Sequence, residues 1–475
     1  MLSLSHGARR AKVSFSAGFG EENFGTCVLG DQRRTRRLVR TADAIMAHPG
    51  GSLPEKMGDP AMLKGLYRLM DKDTVSHESV IAPHCRQVLE KMRACRGAVL
   101  LVQDSTELNY TGKTSLAKGL GHVGRGRGRG YLCHHLLAVE AKQRQVIGLG
   151  SQQLYKRPKR RSRESRRHKK ERLTKESLLW QQARDRMGEA PGGCTWIDIA
   201  DRGGDIFEFL EQECQPGRHF VVRSKYSRKL AFAGEQGQQP CLHTWARGLK
   251  DQGQKTLLVQ AAKGRSKRKA LVRIAADRVS IAAPRYPRGQ HDDEPLALWV
   301  VHVREVDPPE QEDPVEWILL TDLDSSTFEA ACQVAEYYAI RWVIEEYHKA
   351  QKTGCGIEMP QFTSTDRLEP MIALQSVAAV QLLKLRDAAR REETASRPAT
   401  DVMPQAAVEM LGAWRWGDAQ RPMNVGEFVM ALARLGGHQN RKSDGLPGWI
   451  TVWRGWTKLQ SMLQGEWTAK SARCG

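Results

Sequence analysis

Residues 195–214, TWIDIADRGGDIFEFLEQEC, decide the fold. An apolar run ends on Asp201, two glycines make a turn, and a helical segment follows. Upstream, TKESLLWQQARDRM (174–187) reads as a helix with Thr174 as its N-cap. Further upstream lie three strand-like runs: GAVLLVQDSTELNY (97–110), YLCHHLLAVEAK (131–142) and QVIGLGSQQLY (145–155). The short AKQR link between the last two suits a hairpin. Strand, hairpin, helix, strand, helix is the order of a mixed α/β sheet. Ligands in such sheets gather beyond the carboxyl ends of strands, and Asp104 and Asp201 both end apolar runs.

Downstream, HFVVRSKY, KTLLVQAA, KALVRIAA, LALWVVHVREV and VEWILLTDL make residues 219 to about 322 β-rich, an insertion within the α/β unit. One long helix is predicted over 327–352, TFEAACQVAEYYAIRWVIEEYHKAQK. At about 100° per residue, Tyr338, Arg341, Glu345, Lys349 and Lys352 share a sector of roughly 80°, and Glu346 points about 100° away from Glu345. A carboxylate among cations and a tyrosine suits a phosphate site. A surface helix with Arg341–Glu345 and Glu345–Lys349 ion pairs shows the same pattern, and the geometry of the wheel favours neither. From about 365 onward the chain is helix-like, with tryptophans at 414, 416, 449, 453 and 456.

The N-terminal segment LGDQRRTRRLVRTADAIMAH (29–48) sets Arg33, Arg37 and Arg40 on one helix face, suited to following phosphates. Residues 156–172 form a dense basic run that cannot bury itself and reads as an arm or surface insertion. Over the whole chain, 74 Lys and Arg against 54 Asp and Glu leave a formal charge of +20, which favours a polyanionic partner. The ten cysteines are dispersed without a C-x-x-C pair, against a zinc finger or a compact disulfide framework. The adjacent His134 and His135 suit strand packing or DNA contact better than a metal site. No signal peptide or uncharged apolar run of membrane-spanning length is evident, so the expectation is a cytoplasmic protein that meets DNA there or in the nucleoid.

Tyr338, Arg341, Glu345 and Lys352 carry the spacing of a Y-R-E-K signature. In this the chain resembles bacterial cut-and-paste transposases of the insertion-sequence-four family, which use a D-D-E triad. The likeness extends to LGDQRRTRRLV, YRLM (67–70), QDST (103–106), KESLLW (175–180), ADRGGDI (200–206), FVVRSK (220–225), ARLGG (433–437) and WRGWTKLQSMLQG (453–465). It departs in the two glycines at 203–204 and in the charge of the basic arm.

The resemblance implies a ribonuclease-H-like (retroviral-integrase-like) catalytic core over 76–365, with the β-rich insertion. It also implies an N-terminal helical domain over 1–75 that recognises DNA ends, and a C-terminal helical dimerisation domain over 366–475. Asp104, Asp201 and Glu345 would hold two Mg²⁺, with Mn²⁺ as a substitute. Tyr338, Arg341 and Lys352 would hold DNA phosphates, and Trp317 would stack a flipped base. Arg223, Lys225, Arg34, Arg37 and Arg68 match DNA-contacting positions. The partners implied are double-stranded DNA, both terminal inverted repeats and target, and a second copy of the chain in a synaptic homodimer; no membrane is involved. The activity implied is cleavage through a hairpin and joining of 3′-ends to target. A transposase-derived repressor that binds without cutting, and a nuclease of the same core, are the alternatives.

Overall fold

The structure, a computed structural model, describes residues 18–473 except 49, 159–174, 233–238, 261–263, 285–290, 389, 391 and 442–443. Thr174 and the basic arm from 159 onward lie outside the described residues. In chain order, helices α1 (Phe19–Phe24), α2 (Gln32–Ala47), α3 (Leu53–Met57), α4 (Pro60–Met70) and α5 (His77–Ala94) come first. Strands β1 (Gly97–Asn109), β2 (Gly121–His122), β3 (Arg129–Glu140) and β4 (Gln145–Tyr155) lead to α6 (Leu178–Asp185), β5 (Cys194–Ala200), α7 (Phe207–Glu213) and β6 (His219–Arg223). Next are α8 (Leu242–Gly248), β7 (Gly253–Val259), β8 (Arg268–Ile281), β9 (Leu296–Glu305) and β10 (Glu316–Thr321). Helices α9 (Phe328–Ile340) and α10 (Val343–Lys349) precede a π turn over Ala350–Gly354, then α11 (Thr365–Ala388), α12 (Gln405–Trp416), α13 (Val425–Leu435) and α14 (Trp449–Arg473).

The chain divides into two compact units, residues 85–348 and residues 1–84 with 349–475. In the first, the described strands make one mixed sheet in the order β2-β3-β1-β5-β6-β10-β9-β8-β7, with β4 also on β3. β4, β3 and β1 are antiparallel neighbours, whereas β1, β5 and β6 run parallel. β10 returns antiparallel on β6, and β9, β8 and β7 continue outward from it. The β-rich insertion is therefore no separate layer: its first strand belongs to the parallel part and the rest widen the same sheet. Val99–Val102 of β1 are fully buried, because β1 has neighbours on both edges and side-chain layers on both faces. Leu179, Trp180, Phe207 and Leu210 of α6 and α7 pack on one face with Phe220, Val222 and Leu320. Each such side chain contributes roughly 1.5–3 kcal/mol by leaving water. α9 contacts strands β5 to β9.

The second unit is helical. Helical regions expected as separate end domains share one core here: α2 packs on α4 and α11, burying Leu38, Ala42, Ile45 and Met46. Trp456 Nε1 on α14 donates to the Met46 carbonyl at 3.3 Å. Two glycines let α13 and α14 meet: a Cβ at Gly436 would sit 1.8 Å from the Thr451 carbonyl oxygen, and one at Gly455 1.8 Å from that of Leu432. α11 has the length and overall apolar composition of a membrane-crossing helix, although charged residues interrupt it, so no uncharged run of that length occurs. Of its apolar window, 89% is buried inside the protein, which makes it a core helix.

Candidate active site

The parallel ladder between β1 and β5 ends at the pair Gln103–Ala200. The next residue on each strand is an aspartate. Side chains alternate along a strand, so Asp104 and Asp201 leave the sheet on the same face, opposite to Gln103 and Ala200. The expectation that Asp104 ends its strand is corrected, since β1 runs on to Asn109 along β3 alone. Asp104 ends the parallel pairing, and the absence of β5 beyond it opens the space at its edge. Asp104 Oδ1 accepts the Ser105 N–H at 2.7 Å, and Asp201 Oδ1 accepts the Gly203 N–H at 2.7 Å.

Arg341 joins the third carboxylate to this pair. Its Nη2 lies 2.7 Å from Glu345 Oε1 and its Nη1 3.6 Å from Asp104 Oδ2. Burial pushes the Asp104 carboxyl up to about 7, and Asp201 and Glu345 push it the same way, against Arg341 and the Ser105 N–H. Burial works against charge on Arg341, but Tyr338, Asp104 and Glu345 outweigh it and hold the guanidinium above its ordinary pKa. The site is thus a crowded carboxylate cluster partly neutralised by one internal arginine. Among the described residues no three His, Cys, Asp or Glu side chains converge closely enough to hold an ion as they stand. The guanidinium lies between Asp104 and Glu345. Three carboxylates without a soft ligand suit a hard, oxygen-seeking divalent ion, provided Arg341 gives way.

The single helix expected over 327–352 is interrupted. Backbone bonds tighten to i→i−3 at Arg341, Ile344 and Glu345, and α9 and α10 are separate helices. The 100° wheel therefore does not carry through to Lys352, which lies half-buried in the π turn of the helical unit. Tyr338, Arg341 and Glu345 still come together, because the i, i+3 and i, i+4 spacings survive one tightened turn.

Tyr338 is buried, with its hydroxyl engaged by Arg223. Burial raises its pKa, and the nearby Asp201 adds to this. Trp317 on β10 packs edge-on against Tyr338, ring centroids 5.0 Å apart, and is only 8% exposed, so in this conformation it offers a base little surface. Arg223 donates to the Glu316 carbonyl at 2.8 Å. Lys225 is exposed, and its backbone N–H binds Asp205.

Sequence reading missed several residues that build the site. Asp205, almost fully buried, also accepts the Tyr226 N–H at 3.0 Å and pairs with Arg228, tying the turn after Asp201 to the loop after β6. Trp180 lies under that turn and explains the glycines of DRGGD. A Cβ at Gly203 would meet the indole at 2.9 Å, and one at Gly204 would meet the Ala200 Cβ at 2.5 Å. The same indole stacks, tilted, on His134 at 4.6 Å. His134 and His135 are both fully buried, so they pack within the sheet unit and touch no DNA from there.

In the helical unit, the expected cations divide into two groups. Arg34 donates to the Leu29 carbonyl at 3.0 Å and to Thr74 Oγ1 at 2.9 Å, and Arg37 lies against α4 at Gly65. Both serve the fold. Exposed cations on these two helices include Arg33, Arg36 and Arg40 of α2 and Lys64 and Arg68 of α4. In the sheet unit, Arg157, at the start of the basic arm, pairs with Glu107 and Glu176.

Residues 16–75 match a family model described as Transposase DNA-binding. The match supports a DNA-binding transposase, an enzyme class that cleaves DNA, with DNA as the partner of this chain. The helices bearing the exposed arginines fall within the matched segment.

Proposed function

We propose that the chain is a cut-and-paste transposase whose sheet unit has a ribonuclease-H-like core, with Asp104, Asp201 and Glu345 as its catalytic carboxylates. The observation that carries this reading is Asp104 at the end of the parallel ladder, where burial first, and then the nearby Asp201 and Glu345 carboxylates, push its carboxyl up to about 7. The strand order β4-β3-β1-β5-β6, antiparallel then parallel, supports the same core.

The carboxylates would hold two Mg²⁺, or Mn²⁺, which supply charge stabilisation for the attacking and leaving oxygens of an in-line phosphoryl displacement. Arg341, once freed from Asp104 and Glu345, turns to a DNA phosphate; Tyr338 and Lys352 complete the phosphate contacts of the Y-R-E-K set. Trp317 stacks a flipped base only after Tyr338 moves off it. Exposed Arg33, Arg36, Arg40, Lys64 and Arg68 bind the backbone of the terminal repeats.

Water attack at the end of the element breaks the P–O3′ bond and frees a 3′-hydroxyl. That hydroxyl attacks the opposite strand, giving a hairpin and releasing flanking DNA. A second water opens the hairpin, and the 3′-ends join target DNA. The active species is a homodimer holding two ends, in the bacterial cytoplasm.

The test incubates the protein with a linear fragment bearing the inverted repeats that flank its gene, plus Mg²⁺, and resolves products on a denaturing gel. Hairpin ends followed by joined products are expected. Open ends without hairpins or joining would indicate a nuclease, and end binding without cutting a repressor; either result overturns the proposal.

A further inference from the structure

Behind Asp104, on the opposite face of the sheet, four side chains join in sequence. Ser105 Oγ lies 2.8 Å from His134 Nδ1, His134 Nε2 lies 3.0 Å from Gln103 Oε1, and Gln103 Nε2 lies 2.5 Å from Asp198 Oδ1. Strand register makes the chain possible: Ser105 pairs with His134 across β1 and β3, and Asp198 with Leu101 across β1 and β5. Gln103, His134 and Asp198 are buried to within 1% of completeness.

The direction of every bond follows from the acidic end. Asp198 shares the buried Arg184 with Glu213: the Arg184 Nε stands 2.9 Å from Asp198 Oδ2 and 3.8 Å from Glu213 Oε2. Burial with the Asp198 charge pushes the Glu213 carboxyl up to about 9, so Glu213 keeps the proton and Asp198, as the carboxylate, accepts. The Gln103 amide nitrogen must therefore donate to it, which turns the Gln103 oxygen toward His134. That oxygen requires a proton on His134 Nε2. A neutral imidazole then has a lone pair on Nδ1, so the Ser105 hydroxyl donates its proton there. With its hydroxyl fixed, Ser105 holds the backbone N–H that binds Asp104 Oδ1.

We propose that Asp198, Gln103, His134 and Ser105 form a one-way hydrogen-bond relay that fixes the orientation of the Asp104 carboxylate, with His134 a positioning residue in its neutral Nε2–H form. The inference rests on the reading of Asp104 as a catalytic carboxylate. The tilted stack of His134 on Trp180, which also lies under the Asp201 turn, gives the relay a hold on both aspartates. Partners at this remove from the reacting atoms commonly change activity by about 10–100-fold when lost.

Two measurements on the full chain test the relay separately from the reading it rests on. Nitrogen NMR of the ¹⁵N-histidine protein, with the His134 signals assigned by their loss in His134→Gln, reads the tautomer. The relay predicts a protonated Nε2, and a bare Nδ1 whose shift changes in Ser105→Ala but not in Ser105→Thr. A protonated Nδ1 overturns it whether or not the protein cuts DNA.

The second measurement is single-turnover cleavage at saturating DNA. Ser105→Ala is expected to cut about 10–100-fold more slowly with end affinity unchanged, and Ser105→Thr, which keeps the hydroxyl, within about threefold of the parent. Equal rates for the alanine variant and the parent overturn the positioning role. A parent protein that shows the predicted tautomer yet cuts nothing overturns instead the assignment of Asp104 as catalytic.

Discussion

Replacing Asp104 by asparagine should stabilise the metal-free protein at pH 8. The carboxyl of Asp104 is pushed up to about 7 in the folded chain, against an ordinary value of 3.8. Below both values the carboxyl is protonated in folded and unfolded chains alike and has no effect on stability. Between them the unfolded chain gives up the proton and the folded chain keeps it, so stability falls as pH rises from about 4 to about 7. Above pH 7 the full penalty applies. Three units at about 1.36 kcal/mol each set an upper value near 4 kcal/mol. The side chain keeps 20% of its exposure, so solvent relieves part of this and roughly 2–4 kcal/mol remains.

Asparagine removes the charge but keeps an oxygen to accept the Ser105 N–H. For a unit of this size the melting temperature should rise by roughly 4–10 °C in EDTA at pH 8, with the gain shrinking toward pH 5. Mg²⁺ should raise the melting temperature of the parent and leave the variant nearly unchanged, since an ion bound only by the folded state stabilises it. A variant that melts below the parent at pH 8, or a gain that does not depend on pH, would refute carboxylate crowding at this site.

Four further outcomes follow from the same contacts. Arg341→Gln should lower the metal-free melting temperature at pH 8, by roughly 1–3 kcal/mol in stability, because Asp104 and Glu345 lose the cation between them. Gly455→Ala should disrupt the helical unit, seen as lost helical circular dichroism or aggregation, because its Cβ would meet the Leu432 carbonyl at 1.8 Å. Arg36→Ala and Arg40→Ala should weaken end binding and each reduce the slope of log affinity against log salt by about one. Arg34→Ala should instead lower thermal stability by about 1–3 kcal/mol with the salt slope unchanged, because its guanidinium is engaged by Leu29 and Thr74.

How far the sequence could be read depended on whether a feature was local. The strand ending at Asp201 shows in its own composition, and so does the hairpin at 141–144, where the structure turns the chain through Arg144 with φ 55°. The strand-like stretch 97–110 takes in the extension of β1 past Asp104, but its apolar run stops at the aspartate, and pairing with β3 keeps STELN extended. The helical wheel that sets Glu345 apart from Glu346 is distorted by both the tightened turn at Arg341 and the π turn, and only the short spacings survive.

Other features were hidden because they depend on register. The relay through His134 exists only because Ser105 and His134 are cross-strand partners, which neither segment reveals by itself. Likewise the basic pattern of α2 could not separate Arg34 and Arg37, spent on carbonyl, hydroxyl and glycine contacts within the fold, from the exposed Arg36 and Arg40. The buried state of Trp317 follows from a tyrosine arriving from another element. The glycines of DRGGD, a departure in sequence, become intelligible once Trp180 is seen beneath them.

The proposed catalysis requires Asp104, Asp201 and Glu345 to act together on DNA while other surfaces bind it. The most direct measurement compares the parent with Asp201→Asn and Glu345→Gln, scoring strand cleavage in Mg²⁺ and end affinity on the same terminal-repeat fragment. Neither variant should cleave detectably, and end affinity should stay within about twofold of the parent, because neither substitution touches the exposed cations of α2 and α4. Cleavage at the parent rate by either variant would contradict that requirement.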